Sequence, residues 1–131
     1  MEGVKTCQAS SASHVPTFLM GSGKVALELT DEPRMFYEAF AERRNVFHSL
    51  LEELPGVKAP KPEGAFYILI DITGTGMDDI EFATRALEEA KVQVIPGSLM
   101  PGGEGLIRLS YGTGLEQIKE GCRRLKNWLQ A

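Results

Sequence analysis

The sequence holds only two cysteines, Cys7 and Cys122, at opposite ends of the chain. They have no Cys-x-x-Cys spacing and no neighbouring histidine cluster, so zinc and dithiol redox sites are unsupported and no metal ligands are expected. Histidine is equally scarce: His14 and His48 stand alone, without the serine or cysteine motif that a catalytic triad would bring. No apolar run approaches the roughly 20 residues needed to cross a bilayer. The opening Met1-Glu-Gly-Val-Lys-Thr6 also lacks the apolar core of a signal peptide. The expectation is a cytoplasmic protein without a membrane partner. Basic charge is not in excess either, since 14 Lys and Arg stand against 18 Asp and Glu for a net charge of −4. That balance argues against a nucleic-acid partner, whose phosphates call for a clustered basic footprint.

What is present is ordinary globular composition, 43% hydrophobic and 24% charged, in 131 residues. A chain of this length buries about two-thirds of its unfolded surface and needs no disulfide framework to fold. Residues 7–14 are small and polar and read as an extended lead-in. Helical spacing follows at Val15, Phe18, Leu19, Ser22, Ala26 and Leu29, with Pro16 tolerated in the first turn. Gly21 and Gly23 weaken this helix, which is expected to lean on a partner surface. A second helix, capped by Thr30 or Asp31, carries the stripe Phe36, Phe40, Phe47, Leu50 or Leu51, and Leu54 and ends at Pro55-Gly56. At 1.5 Å per residue it is roughly 30–35 Å long, enough to bridge to another body.

The period then changes. Residues 65–71 form a near-continuous apolar and aromatic run, expected to be a strand covered on both faces. Asp78 and Asp79 mark a helix start, with Ile80, Ala83, Leu87 and Ala90 as its apolar stripe. Short strands are expected at 92–95 and 106–111. The last helix opens on a capping box, Thr113-Gly-Leu-Glu116, and places Leu115, Ile118, Cys122, Leu125 and Leu129 on one face. The order of elements implies an α/β fold, a small sandwich of helices on a short mixed sheet preceded by a long bridging helix.

Few residues carry chemistry. Gly21-Ser-Gly-Lys24 fails as a phosphate loop, because Phe18 falls where the first glycine belongs and Val25 where a hydroxyl belongs. Gly74-x-Gly76 and Gly102-Gly103-x-Gly105 miss the dinucleotide spacing and read as turns. Arg108 stands out. Alternation along 106–111 puts Leu106, Arg108 and Ser110 on one face and Ile107, Leu109 and Tyr111 on the other. A guanidinium in mid-strand needs an anionic partner, either Asp71 or a helix carboxylate of this chain, or the carboxylate of a ligand.

Three blocks occur in an order that resembles the C-terminal part of the pyridoxal-phosphate-dependent aminotransferases of the aspartate aminotransferase-like fold. They are Pro62-Glu-Gly-Ala-Phe-Tyr67, Val94-Ile-Pro-Gly-Ser98 and Ile107-Arg-Leu-Ser-Tyr111, supported by Arg43-Arg44 and Arg123-Arg124-Leu125. The resemblance covers residues 8–129 and the last third of such an enzyme. It implies a polar lead-in and helix over 1–30 that pack on a large domain, and a small domain over 31–131. It also implies that Arg108 binds the α-carboxylate of an amino-acid substrate, with Gly64 at the cleft edge and Phe66 or Tyr67 as substrate-side walls. Met100 departs from the aromatic that the family usually carries after Pro-Gly-x-x.

In the family, the reactive lysine and the cofactor's other ligands lie upstream of this region. None of the seven lysines here sits in that lysine motif. The resemblance therefore implies pyridoxal phosphate in the parent enzyme, none bound to this chain alone, and no catalysis by the chain alone. Homo-oligomerisation and amino-acid and 2-oxo-acid substrates are implied in the same way. The reading from a different class is a free-standing, non-catalytic α/β module that binds amino acids or pairs subunits.

Overall fold

A computed structural model describes residues 16–131. The lead-in at 7–14, with Cys7 and His14, and Val15 of the first stripe lie outside the described residues. The chain divides into two compact units, Met1–Phe36 and Tyr37–Ala131.

In the first unit, helix α1 (Thr17–Glu28) follows Pro16 without a side-chain cap, and every residue of it is exposed. Helix α2 (Asp31–Glu52) begins with Asp31 and Glu32 in its first turn, where negative charge meets the positive end of the helix. Its second-unit portion, from Tyr37 on, turns Phe47 and Leu51 into the core with Phe40 and Leu50 at the edge. Gly56 at φ +74 then reverses the chain, a backbone that favours glycine.

The second unit is built on three strands in the order β1 (Tyr67–Asp71), β3 (Leu106–Ser110), β2 (Ile95–Pro96). Both pairings are antiparallel, so this sheet is not mixed. Leu69 and Ile95 flank Arg108 on either side of the central strand. Strand β2 is shorter than the expected 92–95 segment and shifted past it, since Pro96 has no N–H to continue a ladder and Gly97 begins a 3-10 turn, Gly97–Leu99. Helices α3 (Asp79–Glu88) and α4 (Leu115–Leu129) complete the α/β fold.

One sheet face carries the core. Ile68, Ile70, Ile107 and Leu109 pack with Leu51, Phe82, Ala86, Ile118 and Leu125. The opposite face is open: Tyr67 and Leu69 are about two-fifths exposed, at 39% and 41%. The apolar run at 65–71 is thus covered on one face, not two.

Two further expectations change. In α3 the buried residues are Asp79, Phe82 and Ala86, while Ile80 and Leu87 point outward. Phe82 sets that phase by meeting Trp128 edge-on, with ring centroids 5.1 Å apart. Helix α4 starts at Leu115 behind Gly114 with no side-chain cap bond, so Thr113 does not form the capping box. The carboxamide of Gln117 instead folds over Gly114, where any Cβ would collide with it. The Ile118, Cys122 and Leu125 stripe is buried as expected.

Candidate functional site

Arg108 sits at the middle of the central strand, on the open face and half-buried. The same alternation places Leu106 and Ser110 beside it, with Tyr67, Leu69 and Asp71 on β1. Its guanidinium carbon lies 4.8 Å from the centroid of the Tyr67 ring. Such stacking attracts the cation through the ring quadrupole and leaves the N–H edge of the guanidinium open. No carboxylate among the described residues forms an ion pair with Arg108.

The two internal partners that the sequence left open are occupied elsewhere. Asp71 Oδ1 accepts hydrogen bonds from the Thr73 N–H at 2.8 Å and the Thr73 hydroxyl at 2.6 Å. These bonds hold its pKa below the usual carboxylate value. The helix carboxylates Glu81 and Glu89 are paired to Arg85, and Glu120 to Arg123 and Arg124. A cation left facing outward in this way fits an external planar anion, and the arginine fork matches a carboxylate in two parallel bonds.

Phe66 and Tyr67 come together next to this face, whereas Gly64 lies with Phe40 and Tyr111 instead. Phe66 is 43% exposed, and its ring centroid lies 4.3 Å from that of Tyr67. Gly64 is exposed with open space where a Cβ would stand, so no close approach requires glycine there within the described structure. The constrained residue of the block is its neighbour Ala65, at φ +60. Left-handed backbone costs a non-glycine residue about 1 kcal/mol or more. Gly64 and Ala65 rim a cavity of about 150 Å³ that Tyr37, Phe40, Arg44 and Tyr111 also line. A larger cleft, about 350 Å³ and bordered by Gly56, Thr75 and Trp128, contains none of the candidate residues.

The Pro-Gly-Ser block braces the edge strand. Asp79 is 5% exposed and accepts the Ser98 N–H at 2.7 Å, which lowers its pKa and ties the start of α3 to the turn after β2. A Cβ on Gly97 would run into the Gly103 carbonyl and lie 2.6 Å from that of Leu106. Met100 follows that turn, half-buried, with its N–H bonded to the Gly97 carbonyl at 2.7 Å.

Sequence reasoning missed Tyr111 and Ala65. The hydroxyl of Tyr111 donates to the Ala65 carbonyl at 2.8 Å. One signal was available: alternation puts Tyr111 on the buried side of β3, and a buried phenol needs a hydrogen-bond partner. Nothing local in Gly-Ala-Phe announces a left-handed alanine.

Comparison with known proteins decides the family, because the model of "Aminotransferase class I and II" matches residues 7–125. The chain belongs to the class I and II aminotransferases. An aspartate aminotransferase from Pyrococcus horikoshii is 36% identical over 121 residues, covering 89% of this chain and 31% of that protein. A probable aspartate/prephenate aminotransferase from Aquifex aeolicus is 35% identical over 133 residues, covering 97% of this chain and 34% of that protein. The crystal structure of an aromatic aminotransferase from Pyrococcus horikoshii superposes with a TM-score of 0.83 at 32% identity, over 95% of this chain and 34% of that one. This aminotransferase chain thus spans about a third of the length of the relatives it matches.

The family implies pyridoxal phosphate, and the open face does not fit that group. An amine is needed to hold the cofactor's aldehyde, and the residues whose alternation places them beside Arg108 on β1 and β3 are Leu106, Ser110, Tyr67, Leu69 and Asp71. Of the described lysines, Lys91 donates to the Glu88 carbonyl after α3, Lys119 pairs with Glu116 and Lys126 with Glu53 on helix surfaces, and Lys58, bridged to Asp71 at the edge of this face, acts on that carboxylate and helps to lower its pKa. The face fits a carboxylate.

Proposed function

We propose that the chain is the C-terminal part of a pyridoxal-phosphate-dependent aminotransferase, moving an amino group between an amino acid and a 2-oxo acid. Arg108 binds the α-carboxylate of the substrate in this reading. The observation that carries it is the guanidinium itself, held in mid-strand on an open face with no carboxylate partner among the described residues. Two parallel N–H···O bonds would hold the carboxylate flat and so fix the direction of the substrate's Cα–H bond, an orientation effect rather than a chemical one. Phe66 borders the approach, and Tyr67 backs the guanidinium.

The cofactor and its lysine belong, in this reading, to the part of the enzyme that precedes the segment. Residues 1–30 pack on that large domain, residues 31–131 form the small domain, and the complete enzyme is a cytoplasmic homo-oligomer. Alone, the chain is expected to show no saturable absorbance change when titrated with pyridoxal phosphate.

The deciding test is kinetic. In a full-length aminotransferase carrying this segment, Arg108→Leu raises the amino-acid KM and lowers kcat. Unpairing one member of a desolvated charge pair costs about 2–5 kcal/mol, or roughly thirtyfold to several-thousandfold in kcat/KM. Arg108→Lys keeps the charge without the fork and falls between. Near-normal kinetics in Arg108→Leu would remove Arg108 from the site.

A further inference from the structure

The carboxylate reading leaves unexplained why a tyrosine hydroxyl and a left-handed alanine meet next to the Arg108 face. Tyr111 is only 2% exposed, yet its hydroxyl reaches across 46 positions of sequence to the Ala65 carbonyl at 2.8 Å. The N–H of the same tyrosine donates to the next carbonyl, that of Phe66, at 2.9 Å. One residue therefore holds two consecutive carbonyls. Ala65 takes φ +60, a backbone that side chains with a Cβ resist. Directly after this bend, β1 begins with Tyr67, whose ring underlies Arg108 at 4.8 Å.

We propose that Tyr111 is a positioning residue: by holding Ala65 in its left-handed bend, its hydroxyl sets the Tyr67 ring against Arg108 and fixes the plane of the guanidinium. An arginine head on a flexible stem must be pre-organised before it can present two donors to a carboxylate. The Tyr67 ring restrains the guanidinium from one side and uses none of its N–H groups. Releasing the Ala65 carbonyl removes a bond that keeps the bend in place. The alanine then relaxes toward ordinary backbone, which turns the start of β1 and carries the Tyr67 ring off the guanidinium. The Tyr111 ring is held separately, against Phe40 and Phe47 at centroid distances of 6.4 and 6.2 Å. Tyr111→Phe therefore removes the hydroxyl and leaves the packing. The consequence for substrate binding rests on the proposed role of Arg108; the coupling of Tyr111 to Arg108 does not.

Nuclear magnetic resonance of the 131-residue chain reads the coupling directly. Protons of the Arg108 side chain above the Tyr67 ring resonate upfield of free arginine, and Tyr67→Leu abolishes that shift. Tyr111→Phe is expected to lose most of the shift while the amide signals of α4 stay in place. Adding Ala65→Gly to Tyr111→Phe restores it, because glycine adopts the left-handed backbone without penalty. Unmoved Arg108 signals in Tyr111→Phe, or no restoration by Ala65→Gly, overturn the proposal.

Should Tyr111→Phe fail to fold, the comparison of Ala65→Val with Ala65→Gly decides, both with the hydroxyl intact. Valine, which resists positive φ, is expected to displace Arg108, and glycine to leave it in place; equal spectra overturn the proposal. In the full-length enzyme Tyr111→Phe is expected to raise the amino-acid KM severalfold. If Arg108→Leu leaves the kinetics unchanged while the spectra show the coupling, the carboxylate reading fails and the positioning role stands. If Arg108→Leu cripples the enzyme while Tyr111→Phe moves neither spectrum nor KM, the positioning role fails alone.

Discussion

Asp79 and Cys122 show how hydrogen bonding decides between opposite fates for two buried ionisable groups of one domain. Asp79 stays charged because hydrogen bonding from Ser98, its side chain first and its N–H second, outweighs the cost of burial, and its pKa lies below the usual value. A carboxylate depressed in this way adds stability that is full above its unfolded pKa of about 4. That stability is lost as pH falls through the native pKa. Asp79→Asn keeps an oxygen for Ser98 without the charge. The variant is expected to be less stable than the parent at pH 7, with a smaller loss between pH 7 and pH 3, as measured by urea midpoints at both. The Cys122 thiol is pushed up to about 12, by burial first and then by the charge of Glu53. Thiolates, not thiols, attack alkylating reagents. In a Cys7→Ser background at pH 8, Cys122 is therefore expected to react only at the rate at which the domain opens. Prompt labelling of the native protein would contradict its burial.

Elements, in contrast, are held by caps and close approaches that differ in how visible they are in sequence. Asp78 caps α3 by accepting the Glu81 N–H at 2.7 Å. Asp78→Ala is expected to cost about 1 kcal/mol in chemical denaturation. Gly97→Ala is expected to cost about 3 kcal/mol, because the new Cβ meets backbone carbonyls that cannot rotate away. The same contrast explains what could be read from the chain beforehand. Asp78-Asp79 before a helix, the buried stripe of α4 and the face of Arg108 follow from rules local to a few residues, and the structure bears them out. The phase of α3 does not, because Phe82 is placed by Trp128, 46 residues on. Thr113-Gly-Leu-Glu116 satisfies a local rule, yet the helix begins one residue later, with Gln117 folded over Gly114. At the site the pattern is similar. Arg108 is legible from strand alternation alone, whereas the bend at Ala65 depends on a hydroxyl that comes from 46 residues further along the chain.

At the scale of the whole chain the apolar surface is unevenly accounted for. The second unit has a closed core, but α1 buries none of its residues, and Phe18 and Leu27 are more than four-fifths exposed. A helix of 12 residues has little stability of its own in water, where isolated helices shorter than about 12–15 residues are marginal. Gly21 and Gly23 reduce it further, each by up to about 1 kcal/mol relative to alanine. Burial of its apolar side chains against a second surface would reverse that balance, since each Leu or Phe so covered contributes about 1.5–3 kcal/mol. Two outcomes are therefore expected of the purified chain, and they are linked. The amides of α1 exchange with solvent far faster than those of β3 and α4 at low concentration, and they slow as concentration rises, in step with a growing sedimentation coefficient. Replacing Phe18 and Leu27 together by serine is expected to abolish both changes while leaving β3 and α4 protected. A chain that stays monomeric at high concentration with α1 protected throughout would show that this helix carries stability its own residues do not explain.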